Sequence, residues 1–249
     1  MIKRYILLLL FFNVYLIYAE TAREAPPPIP EPLASGIFSP PLPVHIKLPP
    51  KIDGSGDDPQ WSNIPYYIVK IDGENREIEV RIKTCRNEKT FFMLIQFPES
   101  LIVEKQKTWK WDKEKKIYVP GIEIENSLTL LFFKDSIHTN SADVWIWRAA
   151  RTNIAGYADD MVMLGNSYQM DKGKSCWFSK FFGEFAGSEL PRFYQRTPTG
   201  SAGDVKAKGK WKNKMMTIEF ARKLKTGHTD DFILNRKLSM KLIIQSGRK

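Results

Sequence analysis

Two arginines three positions apart and two adjacent aspartates lie within one run, Asp143–Met163 (DVWIWRAARTNIAGYADDMVM). The guanidinium forks of Arg148 and Arg151 match a carboxylate bidentately, and Arg222 is a third candidate for the same duty. Taken singly, arginines on sheets are most often solvent-facing stems. Asp159–Asp160 raise the question of a carboxylate dyad or a calcium site. No oxygen-ligand loop pattern surrounds them, so turn or capping duty is the expectation. His138 and His228 stand far apart in loop-like contexts, and neither has a partner pattern for catalysis. Cys85 and Cys176 are free to pair or not, because sequence does not set their distance. Neither sits in a C-x-x-C-H run, which excludes covalent c-type haem, and C-x-x-C zinc spacing is absent too. Trp109, Trp111, Trp145 and Trp147 present flat apolar rings that can stack on pyranose faces.

The elements that must position these groups read as strands. In Asp143–Met163, Val144 and Ile146 fall on one side of an extended segment and Trp145 and Trp147 on the other, so both faces need cover. Glu77 to Lys83 alternates without a fault, with Ile78, Val80 and Ile82 inward. Asn87-Glu88 then turns the chain into Thr90–Phe97, where Phe91, Met93, Ile95 and Phe97 share one face. Met93 by itself reads as core filling, the common use of methionine. Trp109–Tyr118 reads as a hairpin, Ser127–Phe133 as a strand apolar on both sides, and Val205–Trp211 with Met215–Arg222 as another hairpin. Leu238–Ile244 is the last strand. Gly165–Thr199 mixes Gly, Ser, Pro and aromatics and reads as a long irregular insertion, of the functional or disordered kind. Short strands without amphipathic helices predict an all-β fold, an antiparallel β-sandwich.

The length suits one large domain with a sizeable core. Residues 1–19 have Lys3 and Arg4 before an apolar run from Tyr5 to Tyr18, too short for a comfortable membrane span. That is the pattern of a secretory signal peptide, with an uncleaved anchor as the alternative; no membrane span is expected in the mature chain. Residues 20–50 are proline-dense, which predicts a semi-extended spacer that forms neither helix nor ladder. His45, within it, is expected to be merely solvated. The domain is expected over 51–249. The formal charge is +10, but bases are scattered among acids with no arginine-rich stripe, which argues against nucleic acid.

The run D-V-W-I-W-R-A-A-R-T-N-I-A-G-Y-A-D-D resembles the D-V-W-x-W-(K/R)-A-x-R-T-N-x-A-G-x-A-D-D signature of the haem-binding ethylbenzene-dehydrogenase-like domain. That family includes the gamma subunits of periplasmic type II DMSO-reductase-family molybdoenzymes and related b-type cytochromes. Some members carry His where this chain has Ile146. Ile52-Asp53-Gly54 followed by Trp61 resembles the entry of the same family and of family 9 carbohydrate-binding modules, which share an immunoglobulin-like sandwich. Trp211 through Glu219-Phe220-Ala221-Arg222-Lys223-Leu224 to Thr226-Gly227 resembles the family's ending.

The resemblance implies a non-covalent haem b held between Met and Lys, with cations near its propionates. Met93 matches the methionine in position, and Arg148, Arg151 and Arg222 become propionate candidates. The family's lysine follows the last long strand in a G-x-K-S-like segment. Here Gly247-Arg248 leads to Lys249, so either Lys249 is its counterpart or the terminal strand lies outside this sequence. The implied function is electron transfer, not enzymatic catalysis, in the periplasm or another exported compartment. The implied partners are periplasmic molybdenum oxidoreductase subunits or a c-type cytochrome. Two other readings stand beside it: a carbohydrate-binding module using the tryptophans, and a structural subunit whose haem site has degenerated.

Overall fold

The computed structural model describes residues 34–73, 77–133, 141–228, 231–234 and 239–249. The expected signal peptide and His138 lie outside the described residues. The main sheet takes β1 (Ala34–Phe38), β2 (Val44–His45), β3 (Tyr67–Gly73), β4 (Glu77–Arg86), β5 (Thr90–Pro98), β8 (Ser127–Phe133), β9 (Ser141–Arg148), β10 (Asp159–Leu164), β11 (Ser167–Met170), β17 (Lys206–Lys212), β18 (Met215–Lys223) and β19 (Ser239–Gln245). Around it lie β6 (Trp109–Asp112), β7 (Ile117–Pro120), β12 (Gly173–Lys174), β13 (Trp177–Ser179), β14 (Glu189–Leu190), β15 (Phe193–Gln195) and β16 (Thr199–Gly200). Among the described residues one short α-helix, α1 (Pro59–Ser62), plants Trp61 in the core.

The main sheet runs β11-β10-β9-β8-β19-β1-β3-β4-β5-β18-β17, antiparallel at every step, with β2 added in parallel beside β4. It curls until its two halves face each other as the layers of a sandwich. Trp145 of β9 meets Phe91 of β5 and Phe220 of β18 across the gap, with ring centroids 6.3 and 6.0 Å apart. The all-β antiparallel sandwich expected from sequence is therefore the fold. Its turns follow local chemistry. Asn87 Oδ1 accepts from the amides of Lys89 and Thr90 at 2.9 and 2.8 Å. Asn213 and Lys214 both take positive φ, as a two-residue hairpin with the strands' own twist requires.

Apolar side chains on both faces of the same strands find separate cores. Trp145 and Trp147 join Met93, Ile95, Phe132 and Phe220 between the layers. Val144 and Ile146 pack with Met161 and Phe133 on the outer face. Phe92 and Leu94, behind Met93, pack under Trp61 and Ile64.

The expected spacer over 20–50 is corrected. Ala34–Phe38 is a strand in the middle of the sheet, paired with β19 from Ala34↔Ile244 to Phe38↔Met240 and with β3 at Ala34↔Gly73. Prolines crowd Pro26–Pro32 and Pro40–Pro43, but Leu33 to Ser39 contains none, so its amides remain available for a ladder. His45 is also more than solvated: its Nε2 lies 2.8 Å from Glu88 Oε1. The domain therefore includes Ala34, well before Lys51. The Gly165–Thr199 insertion is built of short ribbons, β13 on β15, β12 on β16 and β14 on β6.

Candidate functional site

The turn that follows β9 folds on its own polar groups. Arg148 N–H donates to Thr152 Oγ1 at 2.8 Å, while Trp147 Nε1–H and Gly209 N–H both donate to Asn153 Oδ1 at 3.0 and 2.8 Å. This seam closes the curled sheet, joining β9 to β17. The three arginines are buried and each is met by a carboxylate of the chain. Arg148 Nε lies 2.8 Å from Asp159 Oδ2, and Arg151 Nε contacts Glu125 Oε1. Glu125 also accepts from the amides of Ala150 and Arg151 at 2.7 and 3.0 Å. Arg222 Nη1 bonds Asp143 Oδ2 at 2.5 Å and Asp231 Oδ1 at 3.1 Å. Burial, then the neighbouring Arg151, lowers the Arg148 pKa.

The structure places the other positions of the expected haem site as follows. Met93 has no exposed surface and is enclosed by the packed side chains of the inner core. The arginines spend their forks on Asp159, Glu125, Asp143 and Asp231. Lys249 is exposed at the end of the chain, past a bridge between Ile124 and Arg248. The tryptophans are corrected as well. Trp145 and Trp147 are core, and Trp109 is buried with its Nε1–H donated to the Lys180 carbonyl at 2.7 Å. Only Trp111 of the four is partly exposed. Asp159–Asp160 are no turn: they open β10, fully buried, with Asp159 Oδ1 accepting from Trp177 Nε1 at 2.8 Å. Cys85 and Cys176 are unpaired and buried, and burial pushes both thiols up to about 12.

An open cleft does exist, and the arginine turn forms its floor. It measures about 620 Å³ and lies between the 104–108 segment and the 189–195 segment, with Ala150 and Ile154 beneath. Residues 193–195 line one wall and Gln106 and Thr108 the other. Phe193 and Gln195 project from one face of β15, and Tyr194 from the opposite face, where its ring meets Phe178. Phe193 is fixed by cations, with the Arg151 and Arg192 guanidinium carbons 5.1 and 5.4 Å from its ring centre. Arg192 also lies 4.8 Å over Trp109. At the rim Glu189 bonds Lys105 and Lys110 at 2.7 and 2.6 Å. Hydrogen bonds from those two lysines hold its carboxyl down to about 2.

The sequence singled out the insertion that supplies this wall but none of the wall residues. Its aromatic density was the available signal. The meeting of Lys105 with Glu189, 84 positions apart, leaves no local trace.

No family model matches the sequence, and no curated protein matches it. Among solved structures, the chain is similar to a family 9 carbohydrate-binding module from Caldicellulosiruptor kristjanssonii in complex with cellotriose. The TM-score is 0.40 at 11% identity, over 81% of this chain and 83% of that one. The same organism's module in complex with glucose gives 0.39 at 10%, over 80% and 84%.

Proposed function

We propose that this chain is an exported, non-catalytic carbohydrate-binding module that holds a short neutral saccharide in the cleft between residues 104–108 and 189–195. The observation that carries the reading is the cleft itself, lined by aromatic and amide residues over the arginine turn. Its volume falls within the roughly 300–1,000 Å³ common for small-molecule sites. A pyranose presents an apolar C–H face and a rim of hydroxyls. The negative face of an aromatic ring attracts the first. Toward the second, Gln195 can donate and accept, Gln106 donates through its amide nitrogen while its oxygen holds the Glu125 amide, and the Thr108 hydroxyl, donated to Glu123, can accept. Charge at the rim is already matched, with Glu189 committed to Lys105 and Lys110, which suits an uncharged ligand over a strongly anionic one.

The test is calorimetric titration of the full chain with neutral α- and β-linked gluco-, xylo-, manno- and chito-oligosaccharides, together with pull-down on the insoluble polymers. Phe193→Ala should weaken binding roughly 2- to 10-fold, the equivalent of an aromatic contact of about 0.5–1.5 kcal/mol. Gln195→Ala should weaken it further in the double variant. Absence of binding to every saccharide, or equal binding by the double variant, overturns the reading.

A further inference from the structure

Asp143, Asp160 and Asp231 converge at the edge of the inner core, each offering an oxygen within 4.8 Å of the others. The convergence follows from register. Asp160 pairs with Trp145 across β9 and β10, so Asp160, Trp145 and Asp143 project from the same face of the sheet. Arg222 reaches in from β18 in the opposite layer, stacked 5.0 Å over the Trp145 ring. Asp231 arrives beyond the end of β18.

Arg222 satisfies only part of this group. It bonds Asp143 Oδ2 and Asp231 Oδ1, and its second nitrogen donates to the Phe232 carbonyl. Asp143 Oδ1, Asp231 Oδ2 and both oxygens of Asp160 are buried and accept no hydrogen bond. Asp160 has no exposed surface at all. A buried carboxylate with neither oxygen satisfied is a severe liability, and here it points toward two further carboxylates. Burial, and then Asp143, push the Asp160 pKa well above its ordinary value. Asp171 stands nearby, its Oδ2 bonded to Ser201 Oγ at 3.0 Å.

We propose that Asp143, Asp160 and Asp231 bind a hard divalent cation, with calcium the best match, which locks β9, β10 and the segment after β18 together. The donor set selects the ion class. All the donors are carboxylate oxygens, with no thiolate or imidazole among them, which favours calcium or its analogues over zinc. Calcium also tolerates irregular geometry and takes further ligands from carbonyls or water. The charges fit: three carboxylates are balanced by one guanidinium and one divalent ion. His228, 41% exposed, borders the group, with its Nδ1 bonded to Asp204 Oδ2 at 2.7 Å and 3.7 Å from Asp231 Oδ2. This site is separate from the saccharide cleft and does not depend on it.

The experiment uses the full chain, purified without chelator for metal analysis, then stripped with EDTA and dialysed. Calcium titrated at pH 7.5 should bind with one equivalent. At one hundred times its Kd it should raise Tm by about 5–10 °C. Asp160→Asn preserves volume and removes one unsatisfied charge. It should therefore fold in EDTA at least as stably as the stripped wild type, yet lose the calcium-dependent shift. Asp231→Asn should lose it likewise. A wild type that carries no metal and shows no shift with calcium, magnesium or manganese overturns the proposal, leaving the cluster held by protons. A calcium shift that survives in Asp160→Asn places the ion elsewhere and overturns it too.

Discussion

Gly209→Ala tests how the curled sheet is closed. A Cβ at this position would stand 2.5 and 2.7 Å from Cζ2 and Cε2 of Trp147 and 3.0 Å from its Nε1. Trp147 is fully buried, and its indole is tied through Asn153 Oδ1 to the Gly209 amide itself. The ring has nowhere to retreat without loosening the bonds that hold the seam. Overpacking of this kind costs about 1–3 kcal/mol, and weakening two hydrogen bonds adds about 0.5–1.5 each. The expected loss is about 2–6 kcal/mol. Urea unfolding gives the number, with Gly183→Ala as the control because nothing lies within 4 Å of its added carbon. Trp147→Phe removes the clashing atoms, so in a double-mutant cycle the two changes should couple by about 1 kcal/mol or more in the favourable direction. A Gly209→Ala protein within about 0.5 kcal/mol of wild type, or strict additivity with Trp147→Phe, would refute the close packing of β17 on β9.

Met93→Leu keeps volume and apolarity and should cost under about 1.5 kcal/mol. In haem titrations the variant and wild type should give the same spectrum; a low-spin α-band after dithionite in wild type alone would establish Met93 as an iron ligand. Glu219 accepts from Gly54 N–H at 2.6 Å, Asp53 N–H at 3.0 Å and Trp61 Nε1–H at 2.8 Å, and Glu219→Gln turns an amide donor toward one of these donors, costing about 1–3 kcal/mol at neutral pH. Burial raises the Glu219 pKa above 4.5, so its proton-linked stabilisation is full below that value and is lost as pH rises through the higher folded value; the urea midpoints of wild type and variant should converge from pH 4.5 toward 7.5, and divergence would contradict the direction.

Strands were legible wherever period and composition agreed locally. Trp145 and Trp147 on one face and Val144 and Ile146 on the other required two cores, and two are present. Where the deciding partner is remote, local reading failed. Ala34–Phe38 looks like part of a proline spacer until Met240–Ile244 is beside it. Asp159–Asp160 look like a turn because the groups that admit them to a buried strand, Trp177 and Arg148 for one and the Arg222 cluster for the other, come from three other elements. The cleft was legible only as an aromatic-rich insertion. Its second wall, 104–108, lies too far upstream for any spacing to reveal it.

The residues that carried the likeness to haem-binding domains have partners inside the chain. Arg148 pairs with Asp159, eleven positions on, within the signature run itself. Asp143 at its start holds Arg222 of the ending, and Asn153 at its centre holds Trp147 and Gly209. Glu219 of the ending holds the Asp53-Gly54 turn and Trp61 of the entry. Each pairing is buried or partly buried, and replacing one partner would strand the other. These contacts fix the two layers, the seam between them and the entry strand, and they need no ligand to do so. The spacing of the signature is therefore accounted for by closure of the sandwich. The saccharide proposal draws instead on residues outside the signature, the walls of the cleft, Gln106 and Thr108 against Phe193 and Gln195.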